Sequence, residues 1–194
     1  EIFYELVKVE DAKEIVESLP KDEKIIFGPD RNLGNYINGI TGRNMLLWDG
    51  ACDVHEKFSV EKILELKKEN NDAKILVHPE CKKPLQMIAD KVGSTQALLN
   101  FAIKDECETV IVATESGILH EMQKRCPNKK FIPAPPEDGK CACNECAYMK
   151  LITLEKLYNS LKYELPEISV DKEVAKKAVV SINRMLEISA KLGL

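Results

Sequence analysis

The sequence has no apolar run approaching the roughly 18 to 20 uninterrupted residues of a membrane-crossing helix, so no such span is expected. Residues Glu1 to Glu10 lack a basic stretch leading into an apolar one, which argues against a secretory signal. Basic charge is not in excess either. The 28 Lys+Arg face 32 Asp+Glu, a formal charge of −4, so the electrostatic footprint of a nucleic-acid binder is missing. The cysteines number seven, an odd count without secretory context, which speaks against a complete disulfide framework. No repeat recurs at solenoid periods. No methionine stands at position 1, so the chain is expected to be a piece of a longer protein. Together these absences point to a cytoplasmic protein that engages neither membrane nor nucleic acid.

What is present is an alternation of short apolar runs and helix-period stretches. Lys24–Phe27, Asn44–Trp48, Lys74–His78, Thr109–Ala113 and Lys130–Pro133 read as buried parallel strands, because each is a compact apolar run entered from polar residues. Between them Asp11–Leu19, Leu33–Ile40, Val60–Glu69, Pro84–Lys91, Thr95–Lys104 and Gly117–Arg125 carry helical periodicity, with Ser59 as an N-cap. This predicts an α/β fold of βαβ units in three layers around parallel sheets. Past the Pro/Gly-bearing stretch Pro133–Gly139 come two further helices, Thr153–Lys162 and Asp171–Leu192. The second sets Val174, Ala178, Ile182, Met185, Leu186 and Ile188 close to one face, the pattern of a packing helix.

In open parallel sheets ligands sit beyond the carboxyl ends of strands. Those ends here carry Gly28–Gly34, Asp49–His55, His78–Cys81 and Thr114–Gly117, which brings two of the three histidines and several carboxylates to one rim. His78 and Glu80, separated by Pro79, point to the same side if the strand continues through them; they suit a general acid/base pair as well as a structural hydrogen bond. Ser94 and Thr95 open a helix, where hydroxyls and free N–H groups either cap it or bind an anion. Thr114, Glu115 and Ser116 share that ambiguity, with Glu115 favouring the cap. Cys52 and His55 form a C-x-x-H pair open to three chemistries: half of a zinc site, a Cys/His nucleophile, or one corner of an iron–sulfur cluster. No oxyanion-donor signature accompanies the nucleophile option. Cys141, Cys143 and Cys146 make a thiolate-rich C-x-C-x-x-C turn, whereas Cys81, Cys107 and Cys126 lack a partner at ligand spacing and read as ordinary thiols.

The ordered strings GPDRNLG (28–34), WDGACDVHEKF (48–58), ILVHPEC (75–81), ADKVGSTQ (89–96), VATESGI (112–118), CNECAYMKLITLEKL (143–157) and NRML (183–186) resemble the quinolinate synthase family of the aspartate route to NAD. The resemblance implies three α/β modules about a pseudo-threefold axis, with a 4Fe-4S cluster where they meet and one cysteine from each. It places residues 1–55 in the second half of the middle module, 56–139 in the third module, 140–150 in a cysteine-rich loop and 151–194 in C-terminal helices. The N-terminal module, with the third cluster cysteine, a substrate histidine and a serine, has no counterpart here, and Lys8–Asp11 replaces a Thr-Ser-x-Asn string.

Carried over residue by residue, the resemblance implies Cys52 and Cys146 as cluster ligands. It implies His78, Pro79 and Glu80 as a substrate-contacting triplet with Glu80 as base and His78 as a second catalytic group, and Ser94 and Thr95 as the hydroxyl pair for a substrate carboxylate or phosphate. Cys141 and Cys143 would be non-ligands, open to a redox pairing. The implied reaction condenses iminosuccinate, supplied by L-aspartate oxidase or aspartate dehydrogenase, with dihydroxyacetone phosphate. The alternative is a zinc-binding or catalytically incomplete α/β fragment.

Overall fold

The computed structural model describes residues 8–9, 11–138 and 144–193. Cys141 and Cys143 lie outside them. The chain divides into a unit of Pro20–Cys146 and a second unit made of Glu1–Leu19 with Ala147–Leu194.

In the larger unit the elements follow in the order β1 (Ile26–Phe27), α2 (Arg31–Thr41), β2 (Leu46–Leu47), α3 (Val60–Glu69), β3 (Lys74–Val77), α4 (Lys83–Met87), β4 (Lys91–Val92), α5 (Thr95–Lys104), β5 (Thr109–Ala113), α6 (Ile118–Arg125) and β6 (Lys130–Pro133), α1 (Ala12–Ser18) belonging to the other unit. β3 to β6 form a parallel sheet in the order β4-β3-β5-β6, and β1 pairs with β2 in a separate parallel pair. Side chains alternate across the larger sheet as strand geometry demands. Ile75, Val77, Ile111 and Ala113 pack with Ile63 of α3 and Leu85 of α4. Leu76, Val110 and Val112 face the other way, onto Leu98, Leu99 and Ala102 of α5 and Met122 of α6. Both faces being covered explains why β3 and β5 read as uninterrupted apolar runs rather than alternating ones. This is the expected α/β/α layering.

Several expected boundaries shift. Pro84–Lys91 is not one helix: α4 stops at Met87 and Lys91 begins a strand. The cause is long-range, since the Asp90 N–H donates to the Ile75 carbonyl at 2.9 Å and its carboxylate accepts the Ile75 N–H at 2.9 Å, pulling the chain alongside β3. β3 also ends at Val77 rather than His78, because the Cys81 N–H donates to the His78 carbonyl (2.9 Å) and closes a turn through Pro79. Ser59 and Ser94 cap α3 and α5 through the N–H groups of Lys62 (3.3 Å) and Ala97 (3.2 Å).

Two glycines permit close approaches at the short sheet, Gly28 just after β1 against Trp48 and Gly34 in the first turns of α2 against β1 and β2. A Cβ at Gly28 would come within 2.3 Å of the Trp48 Cβ, and one at Gly34 within 2.6 Å of the Leu47 side chain. Only glycine permits that approach, and it sets the first turn of α2 directly over the loop that follows β2.

In the other unit, α7 (Leu154–Tyr163) is capped by Thr153 and α8 (Lys172–Leu192) by Asp171. The α8 stripe is less covered than its pattern predicts: Val174, Ile182 and Leu186 are exposed. The anchor is polar instead. The Ser189 hydroxyl donates to the buried Asp11 carboxylate, which also accepts the Lys8 N–H at 2.7 Å. Among the described residues no helix is long and apolar enough to cross a membrane.

Candidate functional site

The connection from β3 leads to β4 on one side and that from β5 to β6 on the other, so the crevice above the carboxyl ends of β3 and β5 is a topological switch point. His78 and Thr114 stand at its two edges, directly after β3 and β5. The loop after β2 fills it. That loop is pinned by Val54 and Phe58, both buried against the face of the sheet that holds Ile75 and Val77. His55 lies between these anchors, 7% exposed, with nowhere to go but the crevice.

There the His55 Nδ1 meets a Glu80 carboxylate oxygen at 3.0 Å and its Nε2 meets the Thr114 hydroxyl at 3.1 Å. The ring stacks on His78 with centroids 4.4 Å apart and planes 12° from parallel. Glu80 reaches His78 less closely, at 3.9 Å from Nδ1, and its backbone N–H donates to that nitrogen at 3.3 Å. His78 and Glu80 do come together as expected, but across a turn rather than along a strand, and Glu80 takes His55 as its nearer partner.

Ligand atoms of Cys52, His55 and Glu80 lie within 4.8 Å of one another, which makes these three a candidate metal group. Their electrostatics are mutually reinforcing. Burial opposes a charge on His55, yet hydrogen bonds to Cys52 and Glu80 outweigh it and raise its pKa to about 9. The hydrogen bond from His55 draws the Cys52 thiol below its usual range. Burial pushes Glu80 upward, but His55 and His78 together leave it below the ordinary carboxylate value. An imidazolium, facing Glu80 through Nδ1 and Thr114 through Nε2, thus sits beside a thiol inclined to ionise at neutral pH. Such a thiol is a better metal ligand than a buried neutral one.

Cys146 stands outside that trio. Its N–H donates to Glu115 at 3.3 Å, and Glu115 also accepts the Gly117 N–H at 2.7 Å in the turn before α6; α6 itself has no side-chain cap, so the capping role expected of Glu115 is not realised. Cys146 and Cys52 are both half-buried and pack against the same apolar cluster beneath the rim. A four-iron cluster is several ångströms across, so its ligands lie farther apart than those of a single ion. Two accessible thiols on one rim, one of them shifted toward thiolate, fit such a group in donor chemistry.

Pro79 is fully buried, and its carbonyl accepts from the Gln86 amide at 2.8 Å. Ser94 is buried, its oxygen accepting the Ala97 N–H in the cap of α5, and Thr95 is half-buried in the first turn. Cys81 and Cys126 are buried, and Cys107 packs partly buried against the second core cluster, in keeping with ordinary thiols.

Sequence reasoning missed the supports. Asp30 accepts the Cys52 N–H at 2.7 Å, and Asn32 and Arg31 reach the same loop. Nothing in the spacing reveals contacts between segments 22 to 48 residues apart; the one local signal is that Asp30 precedes a helix and reads as its N-cap.

A family model described as quinolinate synthetase A protein matches residues 6–187. The chain is 50% identical over 179 residues to the quinolinate synthase of Thermosynechococcus vestitus and 52% identical to that of Microcystis aeruginosa, in each case over 92% of this chain and 56% of the relative. The quinolinate synthase of Chloroherpeton thalassium is 48% identical over the same shares. The chain therefore spans a little over half the length of these curated relatives. On the match of its family model over nearly all of its residues, the chain belongs to the quinolinate synthetase A protein family.

Proposed function

We propose that this chain carries part of the catalytic rim of a quinolinate synthase, an enzyme condensing iminosuccinate with dihydroxyacetone phosphate. The observation behind the proposal is the meeting of Cys52, His55 and Glu80 at the switch-point crevice of a chain from this family. In this reading Cys52 and Cys146 hold a 4Fe-4S cluster together with a ligand from outside this chain. Residues 1–55 and 56–139 then belong to successive modules, and 140–150 is the loop that delivers Cys146. A cluster held by three thiolates leaves one iron with an open position, a Lewis acid for a substrate oxygen.

The chain's own residues supply the rest. Glu80, ionised and held at one oxygen by His55, accepts a proton from the substrate at its carboxylate. His55 fixes that carboxylate through Nδ1 and is itself fixed through Nε2 by Thr114, so the acceptor does not reorient during transfer. His78, stacked on His55, closes one wall and contacts the substrate. Pro79 works through the turn it shapes. The Ser94 oxygen accepts the Ala97 N–H in the cap and keeps its own hydrogen to donate, so the anionic end of a substrate is met by the Ser94 and Thr95 hydroxyls with the N-terminal N–H groups of α5. Iminosuccinate is hydrolytically labile, so a supplier that oxidises L-aspartate, by oxygen or by a nicotinamide cofactor, is the natural partner.

The test is quinolinate formation by the anaerobically prepared full-length protein carrying Glu80→Gln. A fall in kcat of about 100-fold or more is expected for loss of a general base, with KM little changed. Undiminished turnover would remove Glu80 from the mechanism.

A second reading has the same trio behind it. A sulfur, a ring nitrogen and a carboxylate within 4.8 Å suit a single Zn²⁺. One zinc per chain, with no iron retained after anaerobic iron and sulfide loading, would favour it.

A further inference from the structure

The start of α2 carries three side chains that reach the loop after β2: the cap Asp30, then Arg31 and Asn32. Asp30 spans two tasks. One oxygen caps α2 by accepting the N–H groups of Asn32 (2.6 Å) and Leu33 (3.1 Å), while the other accepts the Cys52 N–H at 2.7 Å. Arg31 pairs with Asp49 and, at 3.3 Å, with Glu56, and its N–H donates to the Gly50 carbonyl at 2.8 Å. Asn32 makes the longest reach. Its side-chain NH₂ donates to the Glu56 carboxylate and to the Glu80 backbone carbonyl at 3.0 Å.

The chemistry of those two contacts is one-sided. A carboxylate and a carbonyl only accept, so the position calls for a two-hydrogen donor on a short stem. Asn32 is 9% exposed and both of its hydrogen bonds are at least partly buried. Helix propensity does not call for asparagine there, since asparagine is among the weaker helix formers. Glu56 follows His55 in the chain, and Glu80 is the residue His55 binds. Asn32 therefore joins the two segments whose side chains form the trio.

We propose that Asn32 is a positioning residue of this site: by holding the loop after β2 to the turn after β3 through Glu56 and the Glu80 carbonyl, it sets the His55–Glu80 separation. For catalysis this rests on the quinolinate synthase reading; for the geometry of the unloaded chain it does not. The consequence is directional. Asn32→Asp keeps the shape, replaces the donor by an acceptor facing two acceptors, and drives the segments apart. A displacement of the order of 1 Å in a catalytic group can cost up to about 100-fold in rate, so kcat is expected to fall at least about tenfold with a smaller change in KM. Asn32→Asp combined with Glu56→Gln restores one hydrogen bond with donor and acceptor exchanged, and recovers part of the loss.

The chain has three histidines, His55, His78 and His120, which makes the geometry readable without turnover. In the unloaded 194-residue chain labelled with ¹⁵N-histidine, Asn32→Asp is expected to shift the ring signals of His55 and His78 while leaving those of His120, on α6, in place. The double variant should return them toward their original positions. Unmoved His55 and His78 signals overturn the proposal, and so do shifts the double variant fails to reverse. If the Asn32→Asp chain loses its His120 signal through unfolding, Asn32→Ser, which removes the reach without adding charge, is read by the same criteria. A full-length protein that makes no quinolinate, with the histidine shifts as expected, would sink the functional reading and leave Asn32 as the positioning residue of another activity.

Discussion

Replacing Asp30 separates a helix cap from the anchoring of the cysteine loop, because its two oxygens do different work. Asp30→Ser retains a cap oxygen for the first turn of α2 but cannot reach the Cys52 N–H, now 2.7 Å from the second carboxylate oxygen. Leaving one buried N–H unpaired costs about 1–3 kcal/mol. An offset follows from the carboxylate itself: burial raises the Asp30 pKa despite three backbone hydrogen bonds, so removing the acid relieves a desolvation cost. The net for Asp30→Ser at pH 7 is therefore about 1–2 kcal/mol, the lower part of that range. Asp30→Ala also forfeits the cap, worth about 1 kcal/mol more, for roughly 2–3 kcal/mol in all. Urea unfolding of the unloaded chain, followed by a probe in the larger unit and compared at unchanged m-value, measures both. Iodoacetamide should also alkylate Cys52 faster in the serine variant, since its loop has lost a tether. Both variants within about 0.5 kcal/mol of the unsubstituted chain, the scatter of an uninvolved surface site, would refute the reasoning.

Other outcomes follow from burial and charge. Cys81 is buried with its thiol pushed far above the ordinary range by desolvation, so native-state alkylation mapped by mass spectrometry should find it unmodified where Cys52 is modified; equal labelling of the two would contradict the packing. Leu98→Ala should destabilise the larger unit by about 2–5 kcal/mol in denaturant titration, because Leu98 is fully buried between α5 and the sheet. Asp90 has its pKa lowered, against the effect of burial, by the Ile75 N–H and Lys74. Its contribution to stability is thus complete above the unfolded value near 3.8 and is lost as pH falls through the lower folded value. Asp90→Asn should flatten that acid limb, and an unaltered acid profile would count against the pairing.

How much could be foreseen varied with the range of the interactions involved. β5 and β6 were legible to the residue, as were α3 and α5, because a compact apolar run entered from polar residues or a helix with its own serine cap carries its signal locally. β4 was not, since two residues beside β3 become a strand only through the Asp90–Ile75 exchange. The rim was legible in outline: strand ends collected Cys52, His55, His78 and Glu80. The pairing within it was not. His55 meets Glu80 across 25 residues and Thr114 across 59, and neither separation leaves a periodic trace. The family strings named Glu80 and His78, while the fold reveals His55 as the group that ties them together.

In the proposed function Cys52 and Cys146 hold an iron–sulfur cluster beside the His55–Glu80 pair. Anaerobic iron and acid-labile sulfide analysis of the full-length protein, reconstituted with Cys52→Ser, Cys146→Ser or Cys126→Ser, tests it most directly. The first two variants are expected to lose most of both elements, whereas Cys126→Ser keeps them. Full iron and sulfide in the Cys52 and Cys146 variants would contradict it.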